Sequence, residues 1–301
     1  FLMEQTRAEG LPDRAKREVF LVLGREWSPK AGRDEVAAFV AKAGDVIRRA
    51  SMEDRMDSLN TAIMQLANQA LSAGDPLRAL AWLQLHANPD EAVGQLRAQE
   101  SALTARKVAP AYQTQKEAAL AKLREKAGQW AVQRAPLFLG LGAAHFQAQT
   151  FHASRAAHQR LEAMGPDLAE RPVVLHNLVA CAANLGNWEE VICYGEQFTR
   201  EFPNHQLRSA VARLMVEILF VEQRYEEAHK VAAEVRGNFQ PGDPTRDIPD
   251  FVLGASAYHL ERADEAEMEL EAYLQNYPQG QRVEPVRFYQ AASKVRLQKW
   301  E

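Results

Sequence analysis

Three histidines lie close together in the sequence, His145, His152 and His158, and imidazole is the commonest metal ligand among side chains. Metal binding is the chemistry they would offer. Two cysteines, Cys181 and Cys193, are too few for a disulfide framework and do not form a paired zinc pattern. They read as small buried hydrophobes. Paired acids occur at Glu189-Glu190, Glu226-Glu227 and Asp264-Glu265. Each pair stands where a helix opens, and carboxylates there favour the positive end of the macrodipole. No HExxH, glycine-rich phosphate loop, GxSxG or cysteine–histidine pair at nucleophile spacing occurs. The residue types therefore predict no catalytic centre, no cofactor site and no metal site.

With 301 residues and 47% hydrophobic side chains, the chain can bury an ample core. No segment approaches the ~18 consecutive apolar residues of a membrane span. The chain opens at Phe1 with neither an initiator Met nor an apolar signal core, which leaves a cleaved targeting peptide open. The net charge of -4 divides unevenly. Residues 1–134 carry 20 Lys and Arg against 17 Asp and Glu, or +3, and residues 135–301 carry 16 against 23, or -7. Nucleic-acid binders concentrate basic charge on one face, and the acidic second half argues against that partner.

The second half repeats. Phe151, Trp188, Tyr225, Ala263 and Trp300 each open a second helix of a pair, at spacings of 37, 37, 38 and 37 residues. Apolar residues precede each opening, as in Phe138, Leu141-Gly142 and Leu175, Leu178. Acids and alanine follow several, as in Trp188-Glu189-Glu190, Tyr225-Glu226-Glu227-Ala228 and Asp264-Glu265-Ala266. Pro166, Pro203 and Pro278 close units, because proline cannot continue a helix and biases the residue before it out of the helical region. Gly237 to Pro244 is a turn-rich connection. The register stops at Trp300-Glu301, which predicts a fragment with a truncated last unit.

This pattern resembles the tetratricopeptide repeat, a helix–turn–helix unit of about 34 residues. Pro172 to His205 fits that frame without a gap, and the match covers about 135–301. The resemblance implies an all-α fold, an α–α superhelix or solenoid of antiparallel helix pairs in which stacking covers each pair's apolar face. It also places His145 where the repeat holds a core Tyr and His158 where a core aromatic sits, so both are expected as packed, hydrogen-bonded imidazoles.

In the family, first helices line a concave groove. Carried over by position, the groove presents Leu139, Ala143, Phe146 and Gln147, then His176, Asn177, Ala180 and Asn184. Next come Arg213, Glu217, Phe220 and Val221, then Phe251, Ala255, Tyr258 and His259, and finally Phe288, Tyr289 and Arg296. Chaperone-binding members clamp a peptide carboxylate with Lys, Asn and Arg at fixed positions. Here Asn177 matches one, while Leu139, Ala143, Ala210 and Leu214 occupy the others, so no clamp is expected.

Backwards, the register predicts second-helix openings near residues 76 and 114. Gly74-Asp75-Pro76 fits the first, with Ile63, Leu66 and Ala67 before it. Residues 90–134 read either as a degenerate repeat or as long bracing helices. Asp13–Trp27 and Asp34–Arg49 have helical apolar spacing, with Val36, Phe39, Val40 and Ile47 in the second. The expected organisation is a helical cap over 1–58, degenerate repeats over 59–134 and a regular array over 135–301. The expected role is a non-catalytic scaffold that holds a peptide or protein partner without a cofactor. The alternatives are a structural, self-assembling component of a larger envelope complex, or the accessory region of a larger enzyme. Units ending in Phe/Tyr-Pro-Asn/Gln resemble those of bacterial cell-envelope members of the family, which implies a periplasmic rather than cytoplasmic location.

Overall fold

The computed structural model describes residues 31–53, 57–237 and 242–298. The expected helix over Asp13–Trp27 and the motif residue Trp300 lie outside them. Among the described residues every regular element is helical, as fourteen α-helices and two short 3-10 turns. The chain divides into two compact units, Phe1–Gly165 and Pro166–Glu301.

In the first unit, α1 (Arg33–Glu53) buries Val36, Phe39, Val40 and Ile47, the stripe read from its spacing. That stripe packs into one cluster with α2 (Asp57–Ser72) and α3 (Pro76–Leu83), where the Phe39 and Trp82 rings lie 6.2 Å apart. The start of α3 falls at the expected residue. Pro76 sits where a missing N–H does no harm, and the Asp75 side chain accepts the Arg78 backbone N–H at 3.1 Å.

Next come α4 (Pro89–Ala105), a 3-10 turn at Pro110–Tyr112, and α5 (Gln113–Val132), which opens one residue before the expected position. These two helices have 17 and 20 residues, against 12 to 14 for α6 (Arg134–Gln147) and α7 (Phe151–Glu162). They pack chiefly on each other. Their base is a small cluster of Ala87, Ala92, Val93 and Trp130, with Leu96 against it, and Arg134 pairs with Asp90 at 2.6 Å. From residue 97 to 129 no side chain is buried.

In α6 and α7, Gly142 earns its place by close approach. A Cβ there would stand 2.3 Å from the His158 ring. His158 is 1% exposed and its Nδ1 bonds the Ser154 carbonyl at 2.9 Å, while Ser154 Oγ donates to the Gly142 carbonyl at 2.8 Å.

Among its described residues the second unit holds four first helices and three second helices. They are α8 (Arg171–Asn184), α9 (Trp188–Glu201), α10 (Arg208–Val221), α11 (Tyr225–Arg236), α12 (Asp247–His259), α13 (Ala263–Asn276) and α14 (Val283–Arg296). Each second helix packs on the first helix before it and on the one after it, and neighbouring first helices α8, α10, α12 and α14 also touch in turn. One tie recurs within the pairs. Arg171 at the start of α8 holds Glu201 at the end of α9 at 2.6 Å, and Arg208 holds Glu234 in the same relation in the next pair. Arg171 is buried, and its hydrogen bond holds the Glu201 carboxyl below the usual range. The α12–α13 pair uses an uncharged donor instead, with Tyr273 Oη donating to Asp247.

In every pair but α4–α5 the turn has one geometry. The residue two before the second helix is left-handed: Gly74 (φ 73°), Gln149 (59°), Gly186 (68°), Gln223 (60°) and Glu261 (62°). The next N–H then reaches the carbonyl five residues back at 2.9 to 3.0 Å, as in Arg224 to Leu219 and Arg262 to Ala257, the bonding of a Schellman cap. The α4–α5 connection contains no left-handed residue.

Candidate functional site

The first helices of the second unit bring rings together. Helical periodicity sets Phe251 and Tyr258 two turns apart on one face of α12. Phe220 at the end of α10 meets Phe251 edge-on at 5.6 Å and Tyr225, at the start of α11, at 5.6 Å. Tyr289 of α14 lies 5.3 Å from Tyr258 and 6.2 Å from Phe251. At the centre, the His259 imidazole lies flat on the Tyr225 ring, 4.1 Å away at 3°, and its Nε2 shares a 3.3 Å hydrogen bond with Tyr289 Oη. These rings are all half-buried, so the cluster presents an open face.

Guanidinium groups frame it. Arg296 lies 4.1 Å over the Tyr258 ring and donates to the Tyr258 carbonyl at 2.7 Å. Arg282 lies 5.9 Å from the Phe251 ring and pairs with Asp247 at 2.6 Å and Glu217 at 3.1 Å. Cations over ring faces are attracted by the ring quadrupole. Burial, and then the positive Arg296, lower the His259 pKa, so both disfavour the charged ring. Burial, then Tyr225 and Tyr258, raise that of Tyr289.

A polar network fixes the start of α12 beneath this face. Arg246 grips the buried Asp250 at 2.9 Å, and Tyr277 Oη shares its one proton between the Asp250 carboxylate at 3.2 Å and the Asp243 carbonyl at 3.1 Å. Burial and Asp250 push the Tyr277 phenol up to about 12.

Of the residues expected in the groove, Glu217, Phe220, Phe251, Tyr258, His259, Tyr289 and Arg296 come together here. Phe288 lies at the edge, 67% exposed and 5.5 Å from Tyr289. Arg213 is half-exposed on α10. His176 and Asn177 of α8 bond each other at 3.1 Å, and Asn184 donates to the Ala180 carbonyl at 2.8 Å; none of these three makes a ring contact with the cluster. Ala255, expected to line the groove, is instead fully buried, because it faces the helices packed on α12. In the first unit Leu139 is half-buried, and Phe146 packs on Phe151 at 5.3 Å.

Sequence reasoning missed Tyr225 and Arg282. Tyr225 reads as a second-helix opener, and its stack on His259 spans 34 residues. Arg282 lies in the connection before α14, where no periodicity marks it.

The three histidines do not converge. His158 is core, His145 Nδ1 bonds Thr150 Oγ1 at 2.9 Å, and His152 is exposed. Among the described residues no three His, Cys, Asp or Glu gather to hold a metal. Cys181 is buried as expected, but Cys193 is exposed, since it falls on the outward face of α9. No described helix is long and apolar enough to cross a membrane.

No protein-family model matches the sequence, and neither does any curated protein. Among solved structures the chain is similar to a signal-transduction ATPase with numerous domains from Pyrococcus horikoshii, a protein with a tetratricopeptide repeat sensor. That likeness is at 10% identity and a TM-score of 0.45, over 94% of this chain and 44% of that one, so this chain spans under half of that protein's length. It is also similar to the tetratricopeptide domain of P58(IPK), at 14% identity and a TM-score of 0.30, over 99% of this chain and 97% of that one. Neither superposition is close enough to carry an argument. The repeat rests on the chain's own register: second helices open at 76, 113, 151, 188, 225 and 263, and the fold is an all-α array of tetratricopeptide-like helix pairs.

Proposed function

We propose that this chain is a non-catalytic scaffold that captures a peptide or protein segment on the first-helix face of its second unit. The observation that carries the reading is the half-buried ring cluster Phe220, Phe251, Tyr258, His259 and Tyr289, framed by Arg282 and Arg296. Half-buried aromatics on a rigid platform give large contact area at small entropic cost, and Tyr and Arg dominate binding hot spots. Fixed helices beneath them mean that little ordering is lost on binding. Arg213, Glu217 and Phe288 extend the face along α10 and α14, and His176, Asn177 and Asn184 add polar contacts on α8. Leu139 and Phe146 give the first unit a smaller face of its own. Repeat regularity supports 59–134 as degenerate units and 135–301 as the regular array. The closing motifs at 201–204 and 276–279 support a bacterial cell-envelope location, which fractionation of the native host checks.

The test is partner capture by the immobilised chain from lysate of its native host. Phe251→Ala with Tyr258→Ala is expected to reduce recovery of the wild-type partner roughly tenfold or more, with helical circular dichroism and melting retained. Undiminished recovery of the same partner by the folded variant would sink the reading.

A further inference from the structure

The α4–α5 hairpin has a surface that the platform reading does not use. Between residues 97 and 126 it carries seven Lys and Arg against three Glu. Part of this charge is engaged. Arg124 pairs with Glu100 at 2.6 Å, and Lys116 caps the end of α4 through the Thr104 and Arg106 carbonyls at 2.8 and 2.7 Å. Lys122 and Lys126 are exposed, one turn apart, and make no ion pair among the described residues. By helical periodicity they share a face of α5 with Gln115, Ala119 and Gln129, while Glu117 and Glu125 fall elsewhere on the helix.

The opposite pattern lies on α13. It carries five carboxylates and no Lys or Arg. Opposite the buried Ala266, Leu270 and Tyr273 stand Asp264, Met268 and Glu271, with Met268 61% exposed, and the half-buried Glu267 flanks them one turn before Glu271. A large apolar side chain ringed by acids suits a helix that offers small residues flanked by lysines. Glu267 and Glu271 repeat the one-turn spacing of Lys122 and Lys126. Two hairpins would repel each other, so like-with-like pairing of this surface is disfavoured.

We propose that α5 of one copy docks on α13 of a second copy, with Lys122 and Lys126 on Glu267 and Glu271 and Met268 over Ala119. Such a contact is heterologous, and it extends from copy to copy unless its rotation closes a ring. Complementary charge of this kind sets partner choice and association rate, and salt screens it.

Sedimentation velocity and light scattering on the whole chain test this, at about 20 mM and about 500 mM salt, where the screening lengths differ severalfold. The expected result is a mass above the monomer that grows with concentration at low salt and returns to the monomer at high salt. Lys122→Glu with Lys126→Glu is expected to be monomeric, as is Glu267→Lys with Glu271→Lys, and mixing the two restores association. Lys122→Gln with Lys126→Gln serves if the reversed lysine variant fails to fold. A monomeric wild type at low salt overturns the proposal, as does association unchanged in the lysine variants or no rescue on mixing. A single-stranded oligonucleotide that binds the wild type but not the lysine variants, with the protein alone monomeric, would assign the surface to nucleic acid and also overturn it.

Discussion

The ring platform of the second unit and the α4–α5 hairpin of the first are both built from helix pairs, yet they are held in different ways. Under the platform, α12 is fixed from both sides by Tyr273, Tyr277, Arg246 and Arg282, and buried aliphatic side chains line every neighbouring helix. The hairpin rests on one tryptophan, Leu96 and a few small residues at its base, and none of its distal 33 residues is fully buried. Both surfaces are accessible, but only the first is pre-organised. A rigid face of rings suits selective capture, whereas a charged, lightly anchored hairpin suits a contact governed by electrostatics.

The largest expected effect tests the anchoring. Trp130→Ala removes the largest side chain of the hairpin base, and truncation of a buried aromatic costs about 3–5 kcal/mol. Hydrogen exchange should show amides of 89–132 losing protection while 208–296 keep theirs. Protection retained in the hairpin would mean that its helices do not depend on that base.

Acid should separate the regions next. His86, above the hairpin base, is 4% exposed, its Nδ1 bonds the Ala87 carbonyl at 2.7 Å, and burial lowers its pKa despite that bond. The folded value lies below the ordinary 6.5, so the unfolded chain binds the proton more readily. Stability is complete above that pH and declines as pH falls through and below it. His259 shifts in the same direction, so acid also loosens the platform. Exchange rates at pH 7.5 and 5.5, corrected for intrinsic chemistry, should rise at 84–96 and 251–260 in acid. In His86→Gln the first rise should shrink and the second persist; equal rises in both proteins would break the assignment.

The smallest effect concerns the turns. Gln223→Gly relieves a left-handed side chain and is expected to stabilise the chain by about 1 kcal/mol, measured as a higher denaturation midpoint. Gly substituted at Ala109, in the α4–α5 connection that lacks this geometry, should give no gain.

Much of this was legible in the residues. The stripe Val36, Phe39, Val40 and Ile47 is buried as its spacing predicts, and the openings at 76, 151, 188, 225 and 263 follow the register, because period 3.6 and helix-breaking residues are local properties. The recurrent left-handed turn was hidden, since three of its five residues are Gln or Glu, which carry no glycine signal. The exposure of Cys193 was hidden too, because a helix has an outward face whose direction only packing assigns.

By itself, then, the sequence determined helix pairs, their spacing and the aromatic character of the first helices, all of which depend on residues a few positions apart. Only the tertiary structure decided that Tyr225 stacks on His259, that Arg282 crosses to Glu217 and Phe251, and that Ala255 turns inward. Those contacts join residues roughly 30 to 65 positions apart, and their geometry is set by how neighbouring helices dock, which no local pattern specifies.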